Sequence, residues 1–174
     1  MADLSDAYAG ALFQIARAEG GLERVENELF RFARTLEGND DLRMTLTDAT
    51  IPGERRQQVV EQLLGGRASH VTVALIDLVV GAGRASNLPE IIDRMVAKAA
   101  EERHEAVAEI RTAYPLDEDH RARLAAALGV ATGKQVSIKE VIDPSVLGGV
   151  VATIGDTVID GSIRHRLDQL REAL

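Results

Sequence analysis

Cysteine is absent from the 174 residues. Its absence excludes disulfides, thiolate catalysis and zinc–sulfur sites, and it leaves a reducing compartment open. Aromatic residues are scarce. All three Phe and Tyr8 fall within the first 32 residues, which leaves Tyr114 as the one aromatic of the second half. Cations are outnumbered, 20 Lys and Arg against 28 Asp and Glu, for a formal charge of −8. That balance argues against a nucleic-acid backbone as partner, because phosphate neutralisation needs clustered Lys and Arg. It argues equally against direct binding to anionic lipid. Long apolar runs are missing too. The longest, "VTVALIDLVVGAG" over 71–83, is interrupted by Asp77 and falls short of the roughly 20 residues a bilayer requires, so no direct membrane insertion is expected. "MADLSDAYAG" has no basic stretch ahead of an apolar run, so no signal peptide is expected.

What remains is a soluble, folded composition, 45% hydrophobic and 28% charged. The chain is long enough for one ordinary domain or two small ones. Its first hundred residues read as helix after helix. Tyr8, Leu12, Phe13 and Ile15 mark a helical face that ends at Gly20-Gly21. Leu22, Val25, Leu29, Phe32 and Leu36 follow a 3-4-3-4 rhythm. A short helix is expected near 40–47. Pro52 suits the first turn of a helix carrying Val59, Val60, Leu63 and Leu64, closed by Gly65-Gly66. Residues 68–82 are apolar nearly all round, which predicts a central helix. Asn87 is a cap candidate for a helix with Leu88, Ile91, Ile92, Met95, Val96 and Ala99 on one side. The expectation is a mainly α protein with an N-terminal six-helix bundle over 1–104.

The period then changes. "EAVAEIRTAY" suits a strand, "DEDHRARLAAALGVATG" a helix, and "KQVSIKEVI" a second strand. The order β-α-β-β-β-α predicts a small α+β domain over 105–174, whose thin core needs a partner to be rigid.

The stretch most suggestive of chemistry is "GGVVATIGDTVIDGSIRHRLDQL", residues 148–170. A phosphate-binding loop of the Walker type needs Lys and a hydroxyl after its second glycine. Asp156 stands there instead. A dinucleotide fingerprint needs its glycines in a turn between strand and helix, and here a strand intervenes. The stretch reads as a hairpin about Gly155-Asp156, then an Asp160-Gly161-Ser162 turn in which Ser162 caps a final helix bearing Ile163, Leu167 and Leu170. His70, His104, His120 and His165 show no metal-site spacing and are expected on the surface. The many carboxylates, as in "EGGLERVENE", are expected on solvated helix faces. No catalytic, cofactor or metal residue is singled out. Three readings stay open at this point: a structural subunit, an unrelated helical adaptor, and an enzyme using two carboxylates or a metal.

One resemblance separates them. "VIDPSVLGGVVATIGDTVIDGSIRHRLDQL", residues 141–170, resembles the C-terminal signature of the delta subunit of F-type ATP synthases, the family that includes the mitochondrial oligomycin-sensitivity-conferring protein. Asp143, Leu147-Gly148-Gly149, Gly155-Asp156, Val158-Ile159, Asp160-Gly161-Ser162, Arg166 and Leu167 carry it. "YAGALFQIA" resembles that family's first helix and "LIDLVVGAGRASNLPEI" its fifth, although Asp6-Ala7 stands where members often have Arg-Pro. The resemblance implies a noncatalytic stator subunit without cofactor, on the cytoplasmic face of the bacterial plasma membrane, linking the catalytic head to the peripheral stalk. It implies that residues 1–104 bind N-terminal helices of alpha subunits in a groove at Tyr8, Ala11, Leu12, Leu75, Leu78, Val79 and Ala82. It implies that residues 105–174 meet the C-terminal ends of the b subunits, for which Arg164, Arg166 and Leu170 are the candidates. In some actinobacteria such a domain is fused behind a membrane-anchored stalk subunit.

Overall fold

Glycine and proline divide the chain into its elements in the computed structural model, which describes residues 4–146 and 148–161. Two compact units result, Met1–Ala99 and Ala100–Leu174. Among the described residues the fold is mainly helical, with a small four-stranded sheet in the second unit.

The helices of the first unit are α1 (Leu4–Ala18), α2 (Leu22–Glu37), α3 (Asp40–Thr47), α4 (Gly53–Leu64), α5 (His70–Gly81) and α6 (Leu88–Glu102). Their boundaries follow local chemistry. Asn39 caps α3 by accepting from the Leu42 amide at 3.0 Å, and Ser69 caps α5 by accepting from Thr72 at 3.2 Å. Pro52 sits one place earlier than expected, as the cap before Gly53. Asn87 closes a short 3-10 turn, Ala85–Asn87, whose last amide bonds to the Arg84 carbonyl. Each helix buries apolar side chains, among them Leu12 and Phe13, Leu29 and Phe32, Leu46, Val60, Ile76, and Ile92 and Met95. Ion pairs tie the elements at the rim. Arg34 reaches Asp93 at 2.6 Å and Glu37 at 2.7 Å, with its guanidinium 4.6 Å over the Phe30 ring. Arg94 lies 3.4 Å from Asp6.

Three expectations need correction. On α1 the buried stripe is Ser5, Ala9, Leu12, Phe13 and Ala16, and Ile15 faces out. The buried positions recur at spacings of three and four, and Ile15, one residue before Ala16, is turned roughly 100° away from that line. On α5 the apolar sequence does not mean burial all round. Ala74, Leu78, Gly81 and Ala82 are exposed, opposite the buried Thr72, Leu75, Ile76, Val79 and Val80. On α2 the carboxylates are not all solvated, since Glu26 and Glu28 are buried.

The second unit is built on β1 (Glu105–Thr112), α7 (Glu118–Thr132), β2 (Gln135–Ile142), β3 (Val150–Ile154) and β4 (Thr157–Asp160). The sheet order is β2-β1-β3-β4. β1 and β2 are parallel, which requires a crossover, and α7 provides it. β3 is antiparallel to β1 and continues through a hairpin into β4. Gly155 has φ 55° and leads the two-residue turn, a position that favours glycine. The glycine-rich stretch is therefore a fold element. Asp117 caps α7 by accepting from the His120 amide at 2.7 Å, and Gly133, at φ 68°, ends it. Glu140 accepts from the Leu116 amide at 2.6 Å and from Arg121 at 3.0 Å, which fixes the entry to α7 against β2. The core here is Ala108, Ile110, Leu128 and Ala152, edged by half-buried Leu116, Leu124, Val136, Ile138, Val150 and Ile154. The cap at Ser162 and the final helix with Ile163, Leu167 and Leu170 lie outside the described residues, as do Arg164, His165 and Arg166.

Candidate functional site: an apolar surface on two neighbouring helices

α1 and α5 are packed neighbours. Each shows an apolar stripe to solvent as well as one to the core. On α1 the outward stripe is Leu4, Ala7, Tyr8, Ala11 and Ile15, with Tyr8 half-buried and the others exposed. These positions recur every three or four residues, so they form a single face about a third of a turn from the buried one. On α5 the outward stripe is Ala74, Leu78, Gly81 and Ala82. Leu78 is 45% exposed and Leu4 47%. A scattered exposed leucine is ordinary on a soluble protein. Apolar outward stripes on two packed helices offer the kind of side chains that an amphipathic helix engages through anchors at i, i+3, i+4 and i+7.

The candidate residues therefore divide. Ala11, Leu78 and Ala82 are exposed and Tyr8 is half-exposed. Leu12 (1% exposed), Leu75 (2%) and Val79 (0%) lie in the core beneath them. Leu4, Ile15 and Ala74 share the outward faces and were missed. Period alone assigns Ile15 to the core face, because its neighbours Leu12 and Phe13 dominate the pattern. Arg164, Arg166 and Leu170 lie outside the described residues.

α5 is held in place from its N-terminus by a buried charge. The Glu28 carboxylate of α2 accepts from the Ser69 amide at 2.8 Å, from the Thr72 hydroxyl at 2.5 Å and from Arg24 at 2.8 Å. Burial pushes the Glu28 carboxyl up, but the bonds from Thr72, Arg24 and Ser69 outweigh it and bring the group down to about 2. An anion at a helix N-terminus also complements the helix dipole. At the far end of α5 the opposite holds. Burial, reinforced by the negative charge of Glu61, pushes Asp77 up to about 6, and its buried Oδ1 has no hydrogen-bond partner among the described residues. Gln57 of α4 donates to the Asp77 backbone carbonyl at 3.0 Å and closes that side of the helix.

Among the described residues no three His, Cys, Asp or Glu side chains gather where one metal ion would be held. His70, His104 and His120 are exposed, and the ring of His120 is paired with Asp117 at 2.6 Å. No helix of the described residues is long and apolar enough to cross a membrane.

Comparison with known proteins agrees with this fold. Residues 4–174 match the family model described as ATP synthase delta (OSCP) subunit. The chain is 39% identical over 174 residues to a protein named ATP synthase subunit delta from Streptomyces avermitilis, covering 100% of this chain and 62% of that protein. It is 40% identical over 164 residues to one of the same name from Nocardia farcinica, covering 94% and 61%. A third, from Desulforudis audaxviator, is 35% identical over 167 residues, covering 96% of this chain and 92% of that protein. The chain thus spans about three-fifths of the length of the first two relatives. A chain in the cryo-EM structure of the Toxoplasma gondii mitochondrial ATP synthase hexamer has the same fold, with a TM-score of 0.58 at 24% identity, over 98% of this chain and 97% of that one.

Proposed function

The chain belongs to the ATP synthase delta (OSCP) subunit family, and from that membership we propose that it is a noncatalytic stator subunit joining the catalytic alpha/beta head of an ATP synthase to its peripheral stalk. In this reading the six helices within residues 1–104 act as one bundle that binds alpha-subunit N-terminal helices. Residues 105–174 meet the ends of the b subunits, with Arg164, Arg166 and Leu170 among the contacts. The subunit needs no cofactor. It sits peripherally at the cytoplasmic face of the bacterial membrane and keeps the head from turning with the rotor during proton-driven synthesis.

The observation that carries this reading is the pair of outward apolar stripes on α1 and α5. An amphipathic helix laid between them meets Tyr8, Ala11, Leu78 and Ala82 directly, with Leu12, Leu75 and Val79 forming the floor. Small residues at 7, 11, 74, 81 and 82 allow close approach. Tyr8 supplies the aromatic anchor, and one such anchor contributes about 2 kcal/mol or more.

The test is calorimetric binding of an alpha-subunit N-terminal peptide to the full chain. Tyr8→Ala and Leu78→Asp are each expected to weaken binding at least about tenfold, roughly 1.4 kcal/mol, with the fold retained because both side chains are partly exposed. Two folded variants that bind as tightly as the parent would refute the surface. Unfolding of both would show that these side chains belong to the core.

A further inference from the structure

Away from α1 and α5, the first unit contains a cavity of about 360 Å³. Phe32 of α2, Leu42 of α3, Leu63 and Leu64 of α4 and Ala68 in the following turn give it apolar walls. Leu63 is 39% exposed there. Two cations, Arg31 and Arg67, stand at its edge, both exposed. Neither guanidinium has an ion pair or hydrogen bond among the described residues. Other arginines of this unit do find acids, as Arg24, Arg34, Arg43 and Arg94 do. Two arginines without an acid partner among the described residues therefore flank one apolar hollow, in a chain of net charge −8. Glu28 also lines the cavity, but its carboxylate is engaged by Thr72, Ser69 and Arg24 and pairs with neither Arg31 nor Arg67.

We infer that this cavity binds a small amphiphilic carboxylate, its apolar body against Phe32, Leu42, Leu63 and Leu64 and its head between Arg31 and Arg67. The volume lies within the range of about 300–1,000 Å³ typical of small-molecule sites. Guanidinium groups present paired N–H donors that match a carboxylate, which a neutral head of the same size does not exploit. The walls come from three sides: α2, the start of α3, and the end of α4 with its following turn. The general negative field of the chain repels anions. Carboxylate binding here thus depends on these two side chains. The site is independent of the α1–α5 surface, because none of its lining residues lies on α1 or α5.

The experiment is calorimetric titration of the full chain with dodecanoate and, separately, 1-dodecanol, both below their aggregation limits. Saturable one-site binding is expected, with dodecanoate at least about tenfold tighter than the alcohol, as a charge-assisted pair implies. The double variant R31Q/R67Q should erase that preference while leaving the alpha-peptide affinity unchanged. Ala68→Trp, which fills the hollow, should abolish binding of both. The double variant changes only exposed side chains, so the question stays answerable if Ala68→Trp fails to fold. Absence of saturable binding, or a carboxylate preference that survives in R31Q/R67Q, overturns the proposal. So does an acidic amphipathic peptide whose binding requires both arginines when that of dodecanoate does not.

Discussion

The two units keep their shapes by different means. The first buries leucine, isoleucine, methionine and phenylalanine contributed from end to end of its sequence, and ties its rim with Arg34, Arg94 and the Glu28 node. Among the described residues the second closes over two alanines, one isoleucine and one leucine, and leaves Tyr114, Val130, Ile142, Val158 and Ile159 exposed. Its order rests more on strand pairing and on polar fastenings such as Glu140. A large apolar core tolerates the loss of one contact. A core whose described part is four small or medium side chains has little reserve.

Removing a large core side chain from each unit tests that contrast most strongly. Leu29→Ala and Ile110→Ala both truncate fully buried side chains, and each should cost about 2–5 kcal/mol. The expected outcomes differ. Ile110→Ala should abolish protection across the sheet while α5 and α6 keep theirs, whereas Leu29→Ala should leave the first unit folded at 25 °C. Hydrogen exchange followed by NMR distinguishes the two, and equal behaviour would mean that the second core is stronger than its composition suggests.

A smaller effect belongs to the Glu28 node. Folding lowers its carboxyl from 4.5 to about 2, so the stability it lends is complete above 4.5 and is lost as the pH falls towards 2. The contribution is about 3 kcal/mol at most, and Glu28→Gln should remove about 1–3 kcal/mol at pH 7. Denaturant unfolding of the variant between pH 5 and pH 2 (roughly the window set by linkage) should show a flatter acid slope for the first unit only. An unchanged slope would show that the acid sensitivity arises elsewhere.

The smallest effect carries the opposite sign. Asp77 is raised from 3.8 to about 6, so the folded chain holds a proton that the unfolded chain gives up in that window. Stability therefore falls as the pH rises from 3.8 to about 6 and stays lower above it. Asp77→Asn should stabilise the first unit at pH 7 by about 1 kcal/mol, after discounting for partial solvent screening. Thermal unfolding of the variant at pH 7 and pH 4.5 (roughly either side of the expected change) checks the sign. A variant less stable than the parent at pH 7 would show that the charged form has a partner.

Much of this architecture was legible in the sequence because its signals are local. Gly20-Gly21, Gly65-Gly66 and Gly133 end helices, and Gly155-Asp156 turns a strand back within a few residues. The corrections come from contacts distant in sequence. Glu28 looks like a solvated helix carboxylate until Ser69 and Thr72 are brought to it from another helix. The helical period finds the inward stripe of α1 but does not reveal the second stripe beside it, because Leu4 and Ile15 are as hydrophobic as the residues that are buried. In the same way, the polar residues of α5 do not mark Leu78 as its outer face, since Thr72 is buried and Asp77 half-buried.

The strand order has a consequence for synthesis on the ribosome. β1 is the first strand made, yet it lies inside the sheet, flanked by β2 and β3. Its register joins Glu105 to Gln135 on one side and Ala108 to Ile154 on the other. Strand β1 therefore emerges with both edges unpaired and must wait for two later segments, a non-local pairing that folds slowly and leaves edges open to wrong partners. The helices of the first unit form from nearby residues and can settle while the rest of the chain is still being made. A nascent chain halted after α7 should therefore hold a finished first unit and a bare strand, the interval in which this protein would most need a chaperone.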